Sequence, residues 1–245
     1  MIDYGLLVST IVAFGVPSLL VWWWPLEAAP APPAGDEPPG FLDIAVGPAF
    51  AGLAVGRLTT LALDDPNSIG SLSDMLIIRS GVEFWPGVAT AVVVVLWGEH
   101  RTGLPRPRRL AVLAPLAIVG YAAYEAACVF RDGCFGPEGD IGLRPQGLST
   151  TMFPIGWVMA AVLVVAAVAV RELAFRVRSR VVVVAAATVA VAGVRAIGST
   201  WLPHVGEGLT RQHLTSIIVA VAASAVLAFG LASTARRNQP NMTSR

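Results

Sequence analysis

Seven nearly unbroken apolar runs, each of about 18 to 23 residues, dominate this sequence. A helix of that length crosses a hydrocarbon core of roughly 30 Å, because an α-helix rises about 1.5 Å per residue. The runs therefore predict an all-α integral membrane protein with seven transmembrane helices in one polytopic domain, residues 1–245. The predicted spans cover residues 4–24, 41–63, 82–98, 110–130, 152–170, 181–200 and 214–235.

Composition and charge support this prediction and add an orientation. The mean hydropathy is +0.69 and only 13% of the residues are charged, so most of the chain is too apolar for the surface of a soluble domain. All 17 cationic residues are arginine. Eleven of them lie in loops 99–109 and 171–180 and in the C-terminal tail, and four lie in the alternate loops. Because positive loops stay on the cytoplasmic side, this bias predicts an external N-terminus and a cytoplasmic C-terminus.

The Pro-rich and Ala-rich segment 25–40 follows the first span and reads as an extended linker. It also offers small residues for signal-peptide cleavage. Against cleavage, the first span lacks a positive leading segment and is longer than a signal peptide needs. Trp22, Trp23 and Trp24 instead predict an interfacial anchor at the inner end of that span.

Charged residues inside the spans share one predicted depth. Arg57, Glu125 and Arg195 each lie five or six residues from the outer end of a span, which is roughly 8 Å below the outer boundary. Glu83 and Tyr4 begin spans at the same face, and Tyr121 and Tyr124 flank the glutamate. A charge at mid-bilayer costs roughly 2.5–3.5 kcal/mol on insertion scales, so each one requires an explanation.

Two explanations of this layer are open. Each arginine could snorkel to the outer headgroups, with Glu125 pairing to one of them and joining helices. Alternatively, the layer forms a polar chamber open to the outer leaflet, where two guanidiniums grip a phosphate. The inner halves of the spans carry almost no polar residues, so the second explanation predicts recognition of an anionic lipid and not transport.

The cysteines and histidines suggest fewer functional roles. Cys128 and Cys134 lie at the outer end of the fourth span, where a local disulfide is favoured and unpaired thiols are the alternative. Two cysteines with one distant histidine make a poor metal site, so no metal or other cofactor is predicted. His100, His204 and His213 read as surface residues, and only His204 falls close to the polar layer in an outer loop.

Several strings resemble the bacterial prolipoprotein diacylglyceryl transferases, along almost the whole chain. "YGLL" from Tyr4 is similar to the first-span motif around a functional tyrosine, and "GRLTTLALDDP" from Gly56 is similar to a Gly-Arg-Leu segment before a loop proline. "MLIIRSGVEFWPG" from Met75 follows the stretch "IW-x-GG-x-SFHGG" in length and glycines. "LAPLAIVGYAAYEAACVFRDGCFG" from Leu113 follows "LAP…GQ…GRIGCF…GCCYG", and "GLTRQHLTSI" from Gly208 resembles "GLTMGQ…LS".

The resemblance implies retained and replaced positions. Tyr4, Arg57, Gly136 and Arg195 stand where the family pattern is kept. Trp85 and Pro86 stand at the histidine of "FHGG", Glu125 stands at the arginine of "GR", and "GWVM" after Pro154 replaces a Tyr-Glu motif.

The family's reaction transfers the diacylglyceryl group of phosphatidylglycerol to the thiol of a lipobox cysteine in an exported prolipoprotein and releases glycerol phosphate. The resemblance therefore implies a transferase of the bacterial plasma membrane, with phosphatidylglycerol and a prolipoprotein signal peptide as partners. Arg57 and Arg195, with Glu83 and Gly136, are the candidates for substrate binding. Glu125, His204 and Tyr4 are the candidates for catalysis, and Glu125, Glu83 or His204 could act as the base for the thiol. The alternative is a catalytically inactive member of the fold that binds anionic lipid or a membrane partner.

Overall fold

The computed structural model describes residues 4–24, 41–64, 66, 82–101, 107–130, 135–145, 149–201 and 209–237. Within these ranges, seven α-helices coincide with the seven predicted spans. They are α1 (Tyr4–Trp23), α2 (Phe41–Asp64), α3 (Phe84–Arg101), α4 (Arg108–Ala126), α5 (Ile155–Arg176), α6 (Arg180–Ser199) and α7 (Arg211–Arg237). A 3-10 turn, Ala127–Phe130, continues α4.

Five segments are long and apolar enough to cross a membrane, within the described parts of the chain. They are Ile44–Asp64, Arg108–Phe130, Ile155–Arg176, Arg180–Ser199 and Arg211–Arg236. α1 carries a shorter apolar stretch, Leu7–Trp23. These helices indicate a multi-pass membrane protein, whereas the count of seven spans and the orientation stay predictions.

Several helices extend beyond the apolar runs. α5 continues to Arg176, although its apolar run ends at residue 170, and α3 continues to Arg101. Helical hydrogen bonding does not require apolar side chains, and arginines near a helix C-terminus interact favourably with the helix dipole. The apolar pattern therefore underestimates helix length where charged residues follow the span.

The chain divides into two compact units, which are described separately. One unit comprises Met1–Glu27 and Ala111–Arg245, and the other comprises Ala28–Leu110. The prediction of one domain over residues 1–245 stays a prediction.

The core of the first unit lies among α4, α5 and α6. Ala114 and Ile118 of α4, Leu163 and Ala167 of α5, and Val183 of α6 belong to one buried cluster. α1 packs closely against α4, because a side chain at Gly120 would meet the carbonyl oxygen of Ala13 at 2.7 Å. This unit thus holds α4 and α6 side by side, and these two helices, together with α7, carry the residues of the candidate site.

In the second unit, α2 and α3 make a close glycine contact. A side chain at Gly52 would lie 2.6 Å from the carbonyl oxygen of Gly87, and one at Gly56 would lie 2.7 Å from that of Glu83. This is the close approach that the small residues of "GLAVG" predict. Near the C-terminal end of α3, Glu99 is fully buried. Its carboxylate accepts a hydrogen bond from the backbone N–H of Arg109.

A short strand, β1 (Glu138–Leu143), is an element that the sequence does not predict. It bridges in the antiparallel sense to Met152, and the N–H of Gly139 donates to the carbonyl of Thr151 at 3.0 Å. The N–H of Phe153 donates to Pro137 at 3.0 Å. These bonds connect the segment around the start of β1 to the residues just before α5.

Candidate functional site

Arg195 of α6 is held by side chains from two other helices. Its Nη1 donates to the hydroxyl oxygen of Tyr121 on α4 at 2.9 Å, and its Nη2 donates to Oε1 of Gln212 on α7 at 3.3 Å. The guanidinium carbon also lies 5.9 Å from the centre of the Tyr121 ring, within the range of a cation–π contact. Both contacts fix the plane of the guanidinium, which is half-buried.

Glu125 is connected to this arginine through Tyr121. The tyrosine lies one helical turn before the glutamate on α4, and the two side chains interact. The Tyr121 hydroxyl accepts from Arg195, so its single hydrogen is available to the glutamate carboxylate. The structure therefore supplies a polar network around Glu125, and this explains how the span accommodates a carboxylate.

Ser199 and His213 form a second polar pair, one helical turn further along α6. Oγ of Ser199 lies 2.8 Å from Nδ1 of His213. The same hydroxyl donates a hydrogen bond to the carbonyl oxygen of Ala196 at 3.0 Å. When the serine hydrogen is used on Ala196, Nδ1–H donates to the serine and Nε2 is the basic nitrogen. The backbone N–H of His213 donates to Oγ1 of Thr210.

The prediction that His213 is a surface residue is wrong, because its side chain is only 8% exposed. In the sequence, its position at the start of an apolar run is the one signal that indicates burial. We call the six residues Tyr121, Glu125, Arg195, Ser199, Gln212 and His213 the Arg195 cluster.

Two other residues of this unit that the sequence predicts for the site lie outside the Arg195 cluster. Tyr4 begins α1 and is 74% exposed. Gly136 is buried, its N–H donates to the carbonyl of Phe153 at 2.7 Å, and a side chain there would meet Phe153, Ile155 and Trp201. The glycine therefore allows close packing beside β1, and its amide is occupied by the protein.

Arg57 and Glu83 lie in the second unit, and both are 6% exposed. Glu83 precedes α3, and its backbone N–H donates to Oγ1 of Thr60 at 3.0 Å and to the carbonyl oxygen of Gly56 at 3.2 Å. Arg57 follows Gly56 on α2, so the two charged residues belong to the same end of the α2–α3 pair. The described contacts of Glu83 position the start of α3.

Cys128 is disulfide-bonded and 1% exposed in the 3-10 turn after α4. Cys134 and His204 lie outside the described residues. Nearby, the hydroxyl of Ser9 on α1 donates a hydrogen bond to the carbonyl oxygen of Ala127 at 3.3 Å. Among the described residues, no group of three or more His, Cys, Asp or Glu side chains could hold a metal ion.

In comparisons with known proteins, no protein-family model matches the chain and no characterised protein is significantly similar to it in sequence.

Proposed function

We propose that this chain is a divergent membrane transferase, related to the prolipoprotein diacylglyceryl transferases, that binds phosphatidylglycerol through the Arg195 cluster. In this proposal it works in the bacterial plasma membrane and transfers a diacylglyceryl group to the lipobox cysteine of an exported prolipoprotein. The resemblance of the sequence motifs motivates the reaction. The observation that carries the proposal is the fixed guanidinium of Arg195 between Tyr121 and Gln212.

The binding step requires an oriented cation near the headgroups. A guanidinium has five N–H donors in a rigid plane and matches the geometry of a phosphate. The contacts with Tyr121 and Gln212 reduce the entropy that Arg195 loses when it binds, because its rotamer is already selected.

The transfer step requires a base. The cysteine thiol loses its proton, its sulfur attacks the terminal glycerol carbon of the diacylglyceryl group, and the carbon–oxygen bond to the phosphate breaks. A thioether forms and glycerol phosphate leaves with the bonding electrons, stabilised by Arg195. His213 is the best-placed base of the cluster, because Ser199 orients its ring at 2.8 Å. Glu125 is the alternative base that the sequence suggests.

The test is thioether formation on a lipobox peptide. Full-length protein in detergent micelles is mixed with phosphatidylglycerol and the peptide, and the product is measured by mass spectrometry. We expect Arg195→Gln to lower the rate at least 100-fold, because loss of one stabilising donor costs about 10²–10³ in rate. Arg236→Gln, an exposed arginine near the end of α7, is the matched control and should change the rate less than twofold.

Two results would count against the transferase. One is the absence of product from well-folded wild-type protein that fails to complement a strain depleted of its own transferase. The other is equal rates for wild type and Arg195→Gln. The first result would remove the reaction from the proposal, and the second would remove Arg195 from the substrate-binding site.

The second candidate is a lipid-binding protein without catalysis. Glu125 favours it, because this residue stands where the resemblance implies an arginine and its carboxylate is joined to Tyr121. This candidate predicts that the protein binds phosphatidylglycerol in an Arg195-dependent manner and yields no thioether. Native mass spectrometry of the lipid-bound protein, next to the peptide assay, separates the two candidates.

A further inference from the structure

A small cavity lies in the first unit, at the end of α6 opposite to the Arg195 cluster. Three of the residues that line it are arginines, Arg171 near the end of α5, Arg178 in the turn, and Arg180 at the start of α6. The apolar part of the lining includes Pro115 and Val183. Arg180 and Arg195 are separated by fifteen residues of one helix, which corresponds to roughly 22 Å.

One nitrogen of Arg180 has no hydrogen-bond partner in the part of the chain that the structure describes. Its Nη1 is buried and has no hydrogen-bond partner among the described residues. A buried donor at a charged group is costly to leave unsatisfied, so such atoms usually have a partner, from the protein or from outside it. Arg180 is also one of the residues that line the cavity, so a group bound there lies beside its guanidinium.

The electrostatics of the cavity favour an anion. The segment from Arg171 to Arg180 contains four arginines and one glutamate. That glutamate, Glu172, pairs with Arg171 at 3.2 Å and is half-exposed. The cavity also adjoins the N-terminus of α6, where the helix dipole adds positive potential and the N-cap Ser179 makes no side-chain capping bond.

Aromatic rings hold one of the three arginines in place. The guanidinium carbon of Arg171 lies 5.1 Å from the ring centre of Trp24 and 4.9 Å from that of Phe175. Stacking between two rings restricts the guanidinium while leaving its edge available for hydrogen bonds. The contact also places the end of α1 beside the end of α5.

We propose that this cavity is a binding site for a phosphate group, carried by an anionic lipid headgroup or by a soluble phosphate. The cavity measures about 30 Å³ for the centres of water-sized molecules. One water needs roughly 10–15 Å³ on this scale, so the space admits two or three oxygens of one phosphate and excludes a whole headgroup with its glycerol. Arg180 binds the phosphate from inside the cavity, and Arg171 and Arg178 bind it from the rim. The site is independent of the Arg195 cluster.

The experiment measures binding to full-length protein in a neutral detergent. Native mass spectrometry follows the titration of a short-chain phosphatidylglycerol, with short-chain phosphatidylcholine as the zwitterionic comparison and inorganic phosphate as the soluble probe. We expect Arg180→Gln to weaken phosphatidylglycerol binding about tenfold. Arg176→Gln is the matched control, since this exposed arginine of the same segment does not line the cavity, and it should change affinity less than twofold.

Repeating the titration with Arg195→Gln protein separates this site from the cluster at the other end of α6. Loss of binding on Arg180→Gln in that background supports the cavity, whatever becomes of the proposed transferase. Phosphate binding that Arg180→Gln weakens identifies a soluble ligand, and binding of the lipid alone identifies a headgroup. Equal effects of Arg176→Gln and Arg180→Gln, or none, would overturn the proposal. If Arg180→Gln does not fold, Arg178→Gln decides by the same criterion.

Discussion

The two ends of α6 contain arginines in opposite situations. At one end, Tyr121 and Gln212 bind Arg195. At the other end, Arg180 lines a cavity. Its Nη1 is buried and has no hydrogen-bond partner among the described residues. The protein therefore supplies hydrogen-bond partners for Arg195, whereas Arg180 lines the cavity for which we propose a phosphate ligand.

This difference teaches how a low-polarity helix accommodates charge. Within the apolar part, a guanidinium requires protein partners, because a charge without a partner in that environment is costly. At the helix end, loop arginines and the helix dipole attract an anion instead. A cation inside the span therefore indicates a network, and a cluster of cations at the end indicates a ligand.

The largest expected effect tests which residue of the Arg195 end acts as the base. His213→Gln should lower the rate of thioether formation at least 100-fold, because general-base catalysis typically contributes 10²–10⁴-fold. Glu125→Gln should lower it less than tenfold, because the amide oxygen still accepts from Tyr121. The peptide assay measures both. The reverse order of the two variants would assign the base to Glu125.

The next effect concerns the stability of the same end. Tyr121→Phe removes the hydroxyl that accepts from Arg195 and reaches Glu125, so it should lower the free energy of unfolding by about 1–3 kcal/mol. Unfolding in mixed micelles, followed by tryptophan fluorescence, measures the change. Tyr4→Phe is the control and should change it by less than about 0.5 kcal/mol, since that side chain is 74% exposed. Equal losses would mean that the network contributes nothing.

The smallest expected effect is a change in stability, and its sign distinguishes the two ends of α6. In detergent without anionic lipid or phosphate, Arg180→Gln should leave stability unchanged or raise it by up to about 1 kcal/mol, because it removes a buried charge without a partner at Nη1. Arg195→Gln should lower stability under the same conditions, because it breaks two contacts. Parallel unfolding curves test this, and a loss of equal size for both variants would contradict the contrast between the ends.

The helices could be predicted from the sequence because an apolar run of span length is a local property. The glycine contacts of α2 with α3 were also predictable, since small residues four apart define a close face. Helix ends were less accurate, as at Arg176, because helical hydrogen bonds continue through charged residues. The strand Glu138–Leu143 has no alternating apolar pattern, and only its pairing with Met152 defines it.

Partners of the polar residues were harder to predict. The sequence placed Glu125 and Arg195 at one depth, but their connection depends on Tyr121, 74 residues before the arginine. The burial of His213 likewise depends on the packing of α7 against α6. Arg171, Arg178 and Arg180 were interpreted only as signals of orientation, because a sequence cannot show that they converge on one cavity with Pro115 of α4.

The close contact of α1 with α4 has a consequence for synthesis. Ser9 bonds to Ala127, which is 118 residues later in the chain. At about 5–20 residues per second, α1 leaves the ribosome roughly 6–24 s before the turn that it contacts. In that interval α2 and α3 are both synthesised, and their own glycine contact joins residues only 35 apart, Gly52 and Gly87. The first helix therefore contacts a turn that is synthesised after two further helices, and a truncation before α4 would remove the surface that α1 packs against.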